Sequence, residues 1–142
     1  MKNIIAWSTS MRTGNRSLDL QHIELFELIG ALSSLVETNY TGEQIASALS
    51  QLERYVLFHF NNEENMMANS RISPEHVLRH IEAHQAFSKK VEAFKHDKNL
   101  DSKLPDMVDF LVEWLSSHIM KTDQELVELC QRNGQSRYGV SV

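Results

Sequence analysis

A chain of 142 residues suits a single domain, and a chain of this size buries roughly two-thirds of its unfolded surface, enough for one core. Lys and Arg number 14 against 19 Asp and Glu, a formal net charge of −5 with no basic cluster, so neither nucleic acid nor an anionic membrane is an expected partner. Two prolines and five glycines are too few for a many-turned sandwich or barrel, and the single cysteine, Cys130, forms no internal disulfide and fits a reducing compartment.

The chain opens on an arm, residues 1–16. Its start, MKNIIAWSTS, lacks the apolar core of a signal peptide, and no window approaches the roughly 18 apolar residues of a membrane span. A cytoplasmic protein is therefore expected. The chain has neither an internal repeat nor a low-complexity tract. After the arm it carries four patterns of alternating three- and four-residue apolar steps.

The first helix is predicted over about 17–38, with the seam His22, Leu25, Ile29, Leu32 and Val36. The second, about 42–67, opens on TGEQ, where Thr41 and Gln44 fit a capping box. Its seam is Ile45, Leu49, Leu52, Val56, His59, Glu63 and Met66. The third, about 74–96, has Ser73 as N-cap and Pro74 in its first position, with Val77, His80, His84, Phe87, Val91 and Phe94 on the seam. The fourth, about 103–132, stops before Asn133 and Gly134. Its seam is Val108, Leu111, Leu115 and His118, with Trp114 and Ile119 beside it, then Leu126 and Leu129. Four such helices on short loops predict an all-α, antiparallel up-down four-helix bundle with facing axes roughly 8–10 Å apart.

Every one of these seams carries a histidine: His22, His59, His80 with His84, and His118. Glu63 lies one turn from His59 on the same face. One buried neutral histidine in a bundle is ordinary. Five on four inward stripes, with a carboxylate among them, would each cost several kcal/mol in an apolar core unless they share a partner. A metal ion is the natural one. His80 and His84 are four residues apart, about 6 Å along the axis, and can grip one ion. His76 and His96 fall off the seam and are read as facing solvent. HIEAH has its glutamate in the wrong place for a zinc protease, no Glu-x-x-His of the carboxylate-rich bundles occurs, and CxxC, phosphate-loop and nucleophile motifs are lacking.

With these residues in view the chain resembles the bacterial hemerythrins. The matching pieces are DLQHIELF (19–26), HFNNEENMM (59–67), HIEAHQAF (80–87) and WLSSHIMKTD (114–123), one per helix and in the family's order. The resemblance implies reversible dioxygen binding at two non-haem iron ions joined by an oxo or hydroxo group and two carboxylates. By motif, His80, His84 and His118 would hold one iron, His22 and His59 the other, and Glu63 and Asp123 would bridge them. Imidazole and carboxylate donors without thiolate suit iron. One coordination position is left open, on the iron with two histidines.

Asp123 is the awkward member, five residues after His118 and so about 140° away on an ideal helix. A widened turn of the i→i+5 kind is predicted between 118 and 123. By the same resemblance Leu25, Phe60, Trp114, Leu115, Ile119 and Met120 would line a dry pocket at the open position; all also serve as plain core. Met120 departs from the family's more frequent leucine, and longer, oxidisable methionine there would alter ligand access or autoxidation. Trp7 is kept in the arm, where it is expected to pack over the bundle end, although a serine follows it where the family often has an acid. Met66 and Met67 are read as core filler.

A dioxygen carrier, store or sensor is the expected function, and not an enzyme, because no free acid or base remains beside the open position. A di-iron oxidase or peroxidase would use the same site. So would a signalling module for dioxygen, redox state or nitric oxide acting on a partner in trans, since the tail QSRYGVSV is too short for an output domain. A metal-free structural bundle leaves the seam histidines unexplained. The sequence leaves the oligomeric state open.

Overall fold

Capping chemistry sets where the helices of this computed structural model begin; it describes residues 7–137, with side chains through 133. Asn15 accepts the Leu18 N–H and starts α1, Arg16–Val36. Thr41 and Gln44 form a reciprocal capping box ahead of α2, Gly42–Asn69. Ser73 accepts the His76 N–H, with Pro74 in the first turn of α3, Pro74–Lys95. The fourth bundle helix is one continuous run in three parts: α4 (Leu100–His118), a π turn (Ile119–Asp123) and α5 (Gln124–Arg137).

Two helix ends differ from the sequence reading. The fourth helix begins at Leu100, ahead of the expected 103, so Pro105 lies inside it and removes one backbone hydrogen bond near the start. Its far end passes through Asn133 and Gly134 to Arg137. A helical glycine costs only about 1 kcal/mol against alanine. The Asn133 side-chain amide donates to the Arg71 carbonyl, tying this turn to the α2–α3 corner.

Antiparallel alternation divides the interior into two halves. The C-terminal parts of α1 and α3 meet the N-terminal parts of α2 and α4 around Ile29, Leu32, Leu49, Leu52, Val91, Leu104 and Leu111, all buried. The opposite halves bring the polar seam residues together at the other end. Full burial of each such aliphatic side chain contributes roughly 1.5–3 kcal/mol, and this apolar half is what fixes the polar half in place.

The arm is held by Asp19, whose carboxylate accepts from both the Thr13 backbone N–H and hydroxyl at 2.8 Å. Gly14, at φ +92°, turns the chain into α1. Trp7 packs against the core cluster. Of the two methionines read as filler, Met67 is buried and Met66 only partly so. The last five residues of the tail, 138–142, lie outside the described residues. Among the described residues no helix is long and apolar enough to cross a membrane.

Candidate metal centre

All seven candidate donors converge. They fall into two groups whose donor atoms lie within 4.8 Å of one another: Glu63, His80, His84 and His118, and His22, His59, Glu63 and Asp123. Glu63 and Asp123 are both fully buried. Asp123 Oδ1 is 3.1 Å from His80 Nε2 and 3.0 Å from His118 Nε2, whereas its Oδ2 is 2.9 Å from His22 Nε2. Glu63 divides itself likewise: Oε1 is 3.0 Å from His84 Nε2 and 3.3 Å from His80 Nε2, and Oε2 is 3.5 Å from His59 Nε2. Each carboxylate therefore offers one oxygen to each histidine group.

The π turn is what delivers Asp123. The Gln124 N–H reaches back to the carbonyl of Ile119, five residues earlier, and the widened turn carries Asp123 inward beside His118. The widened turn expected between 118 and 123 is thus present.

Three imidazoles have their outer nitrogens engaged, and the partners fix which nitrogen is free. His59 Nδ1 lies 2.7 Å from Gln21 Oε1, His84 Nδ1 3.0 Å from Glu64 Oε2, and His80 Nδ1 2.9 Å from His76 Nε2. An amide or carboxylate oxygen only accepts, so His59 and His84 carry their hydrogen on Nδ1 and aim an Nε2 lone pair inward.

Lone pairs facing carboxylate oxygens need a cation between them. Six buried atoms of this cluster, His22 Nδ1, His59 Nε2, Glu63 Oε2, His80 Nε2, His118 Nε2 and Asp123 Oδ1, have no hydrogen-bond partner among the described residues. Such groups are rarely left unsatisfied in a folded interior. Metal ions held through the inner atoms fit all of them except His22 Nδ1.

Burial and neighbouring charges act on the proton equilibria of the same cluster. Burial, and then the Asp123 charge, hold the Glu63 carboxyl well above the usual carboxylate range. Burial opposes ionisation of Asp123 too, but His118, His22 and His59 outweigh it and hold its carboxyl well below that range. Burial lowers His59 and His80, with Asp123 opposing. Burial, reinforced by His80 and His118, pushes His84 down to about 2. These three imidazoles are thereby kept neutral, as metal donors must be.

Residues 13–130 match the family model of the hemerythrin HHE cation binding domain, a span that takes in all seven candidate donors. The chain belongs to the hemerythrin family. It is 28% identical to a bacteriohemerythrin of Clostridium acetobutylicum over 88% of this chain and all of that protein. It is 32% identical to a myohemerythrin of Riftia pachyptila over 82% of this chain and 86% of the relative. A hemerythrin-like protein of Naegleria gruberi is 30% identical over 84% and 87%. The family and the two histidine–carboxylate groups together point to a non-haem di-iron site.

Around this hemerythrin centre, Phe60 stacks on the His84 ring with centroids 3.7 Å apart, and the partly buried Trp114 stacks on His118 at 4.4 Å. Leu25, Leu115 and Ile119 are buried. Met120 is not a lining residue: it is 48% exposed, because the turn that brings Asp123 inward leaves position 120 on the outer side. The reading of His76 is also corrected. His96 is exposed, but His76 is only 1% exposed, since it stands one helical turn before His80 and shares its face.

Gln21, Glu64, His76 and Glu125 are the functional neighbours that the seam pattern missed. Two of them sit directly beside a donor in sequence, Gln21 before His22 and Glu64 after Glu63. Only the four-residue step from His76 to His80 carried a signal.

Proposed function

We propose that His80, His84 and His118 hold one iron, that His22 and His59 hold a second, and that Glu63 and Asp123 bridge them. When bound, the pair would also carry an oxo or hydroxo group. On this reading the chain, as a di-iron oxygen-binding protein of the hemerythrin family, binds dioxygen reversibly and serves as carrier, store or sensor. The observation that supports it above the others is the division of both buried carboxylates between the two histidine groups.

When bound, the irons supply the electrons that dioxygen needs. The rest is the chain's own work. Glu63 and Asp123 offset cationic charge inside a dry interior, where unpaired charge is costly. Gln21, Glu64 and His76 hold the outer nitrogens of His59, His84 and His80, orienting the inner lone pairs. Phe60 and Trp114 brace two of the rings, and Leu25, Leu115 and Ile119 keep water away. No further acid or base is assigned to the open position, which favours binding over turnover. A cytoplasmic location belongs to the same proposal; a signalling module acting through a partner in trans is the alternative use of the same site.

Iron analysis with visible spectroscopy tests it. Two irons per chain and a charge-transfer band that appears with dioxygen and vanishes on its removal are expected. Steady consumption of a reductant with dioxygen would instead establish an oxidase. A chain that takes up no iron would sink the proposal.

A further inference from the structure

His76 and Glu125 lie outside the two donor groups, yet they form a chain that ends on one of them. Glu125 Oε1 is 2.7 Å from His76 Nδ1, and His76 Nε2 is 2.9 Å from His80 Nδ1. The three come from two helices: His76 and His80 on α3, Glu125 in the first turn of α5. Ser73 fixes the first turn of α3 by accepting the His76 N–H, so the ring is presented to α5 from a capped helix end.

The hydrogens along this chain are set from its outer end. A carboxylate oxygen accepts, so His76 carries its hydrogen on Nδ1. In the neutral ring Nε2 is then an acceptor, and the hydrogen between the two imidazoles belongs to His80 Nδ1. That leaves the lone pair of His80 on Nε2, the atom that lies 3.1 Å from Asp123 and 3.3 Å from Glu63 and lacks a hydrogen-bond partner among the described residues. The opposite assignment would place a hydrogen on His80 Nε2 and spoil it as a donor.

We infer that His76 is a positioning residue for the metal centre, fixing the tautomer and ring orientation of His80 through a carboxylate–imidazole–imidazole chain that Glu125 anchors. The inference rests on the di-iron reading for its bearing on affinity, but the tautomer belongs to the protein alone. His76 is buried, so its polar ring is there at a cost that only this chain offsets. Glu125 is half-exposed and also lies 3.5 Å from Arg79, so its geometry is held from outside as well. Outer partners of this kind typically change metal affinity about 10–100-fold when removed.

Zinc, being diamagnetic, is the probe, with nitrogen-15 spectra of the histidine rings in the full chain, metal-free and zinc-loaded. The parent is expected to show the His80 hydrogen on Nδ1. His76→Leu should lose that signature and weaken zinc binding about 10–100-fold. His76→Gln, whose amide can accept from His80 and donate to Glu125, should recover most of both. Glu125→Ala should leave the His76 hydrogen distributed over both ring nitrogens. Ring spectra and zinc affinity unchanged in His76→Leu and Glu125→Ala would overturn the inference. If His76→Leu does not fold, Glu125→Ala, a change at a half-exposed position, decides. A parent that binds no zinc defeats the metal-centre reading, while its metal-free ring spectra still test the chain from Glu125 to His80.

Discussion

His118 Nε2 lies 3.0 Å from Asp123 Oδ1, although five residues separate them along one continuous helix. In a regular α-helix the two would stand about 140° apart. The π turn over Ile119–Asp123 removes that mismatch. Helical phase then predicts two opposite outcomes. Deleting Met120 places the aspartate four residues after His118, about 40° away on a plain α-helix, and should preserve two metals per chain. Inserting an alanine after Met120 moves it to the sixth position, about 240° away, and should lower the metal content. Metal analysis of both variants checks this; an insertion variant that keeps both metals would show that Asp123 is not a donor.

Removing metal should destabilise the fold, because the polar end of the bundle then keeps its unpartnered atoms. With free metal a thousandfold above its dissociation constant, binding to the folded state adds about 4 kcal/mol. At about 2–4 °C per kcal/mol for a chain of this size, the expected rise in melting temperature over a chelator-treated sample is roughly 10–15 °C. Glu63→Ala should abolish most of that difference, since Glu63 belongs to both donor groups. Thermal unfolding followed by circular dichroism, with and without chelator, gives both numbers.

The stability of the metal-free protein and its affinity for metal should respond to pH with opposite signs. Glu63 is held above its ordinary value of 4.5 by burial and then by Asp123. Its raised folded value favours the neutral form, so its contribution to the metal-free fold is complete below about 4.5 and is lost as pH rises through the folded value. His84, lowered from 6.5 to about 2, works the other way, its contribution being complete above 6.5. The His84 contribution is constant above 6.5, whereas Glu63 takes stability from the metal-free protein as pH rises through its raised folded value. Metal must displace the Glu63 proton, so affinity should rise over the same range, by up to about tenfold per pH unit for each proton released. Calorimetric titration in two buffers of different ionisation enthalpy counts the protons; a count of zero would exclude Glu63 as the proton-bearing group.

How far the sequence reaches depends on which periodicity carries each residue. His22, His59, Glu63, His80, His84 and His118 lie on seams that the apolar residues define independently, so an α-helical step alone places them inside. Asp123 does not, and composition alone would leave it at the surface beside Lys121; its expected place rests on the resemblance and on the widened turn that the resemblance requires. His76 escapes the seam because Val77, Phe87 and Phe94 trace only one edge of a buried stripe wider than a single line of residues. Gln21, Glu64 and Glu125 are partners across helices, and such pairings depend on helix register, which no single helix's pattern encodes. The start of the fourth helix at Leu100 is hidden by Pro105, a residue that more often marks a helix start than a second turn.

Ile119 and Met120 are neighbours in sequence with opposite surroundings, and they separate two accounts of how the centre is kept from water. Ile119 is fully buried and Met120 is 48% exposed. Met120→Leu should therefore leave the rate at which the reduced, iron-loaded protein oxidises in air within about twofold of the parent, the span expected of a surface change worth about 0.5 kcal/mol. Ile119→Ala should destabilise the fold by about 2–5 kcal/mol, as large-to-small core changes do, and should speed oxidation by opening a cavity next to His118. Ile119→Val, which removes one methyl group, should cost about 0.5–1.5 kcal/mol and fall between the two in oxidation rate. Stopped-flow spectroscopy of the reduced variants mixed with air-saturated buffer orders the three; a large effect of Met120→Leu with none of Ile119→Ala would put the water barrier on the outer face of the turn instead of beneath it.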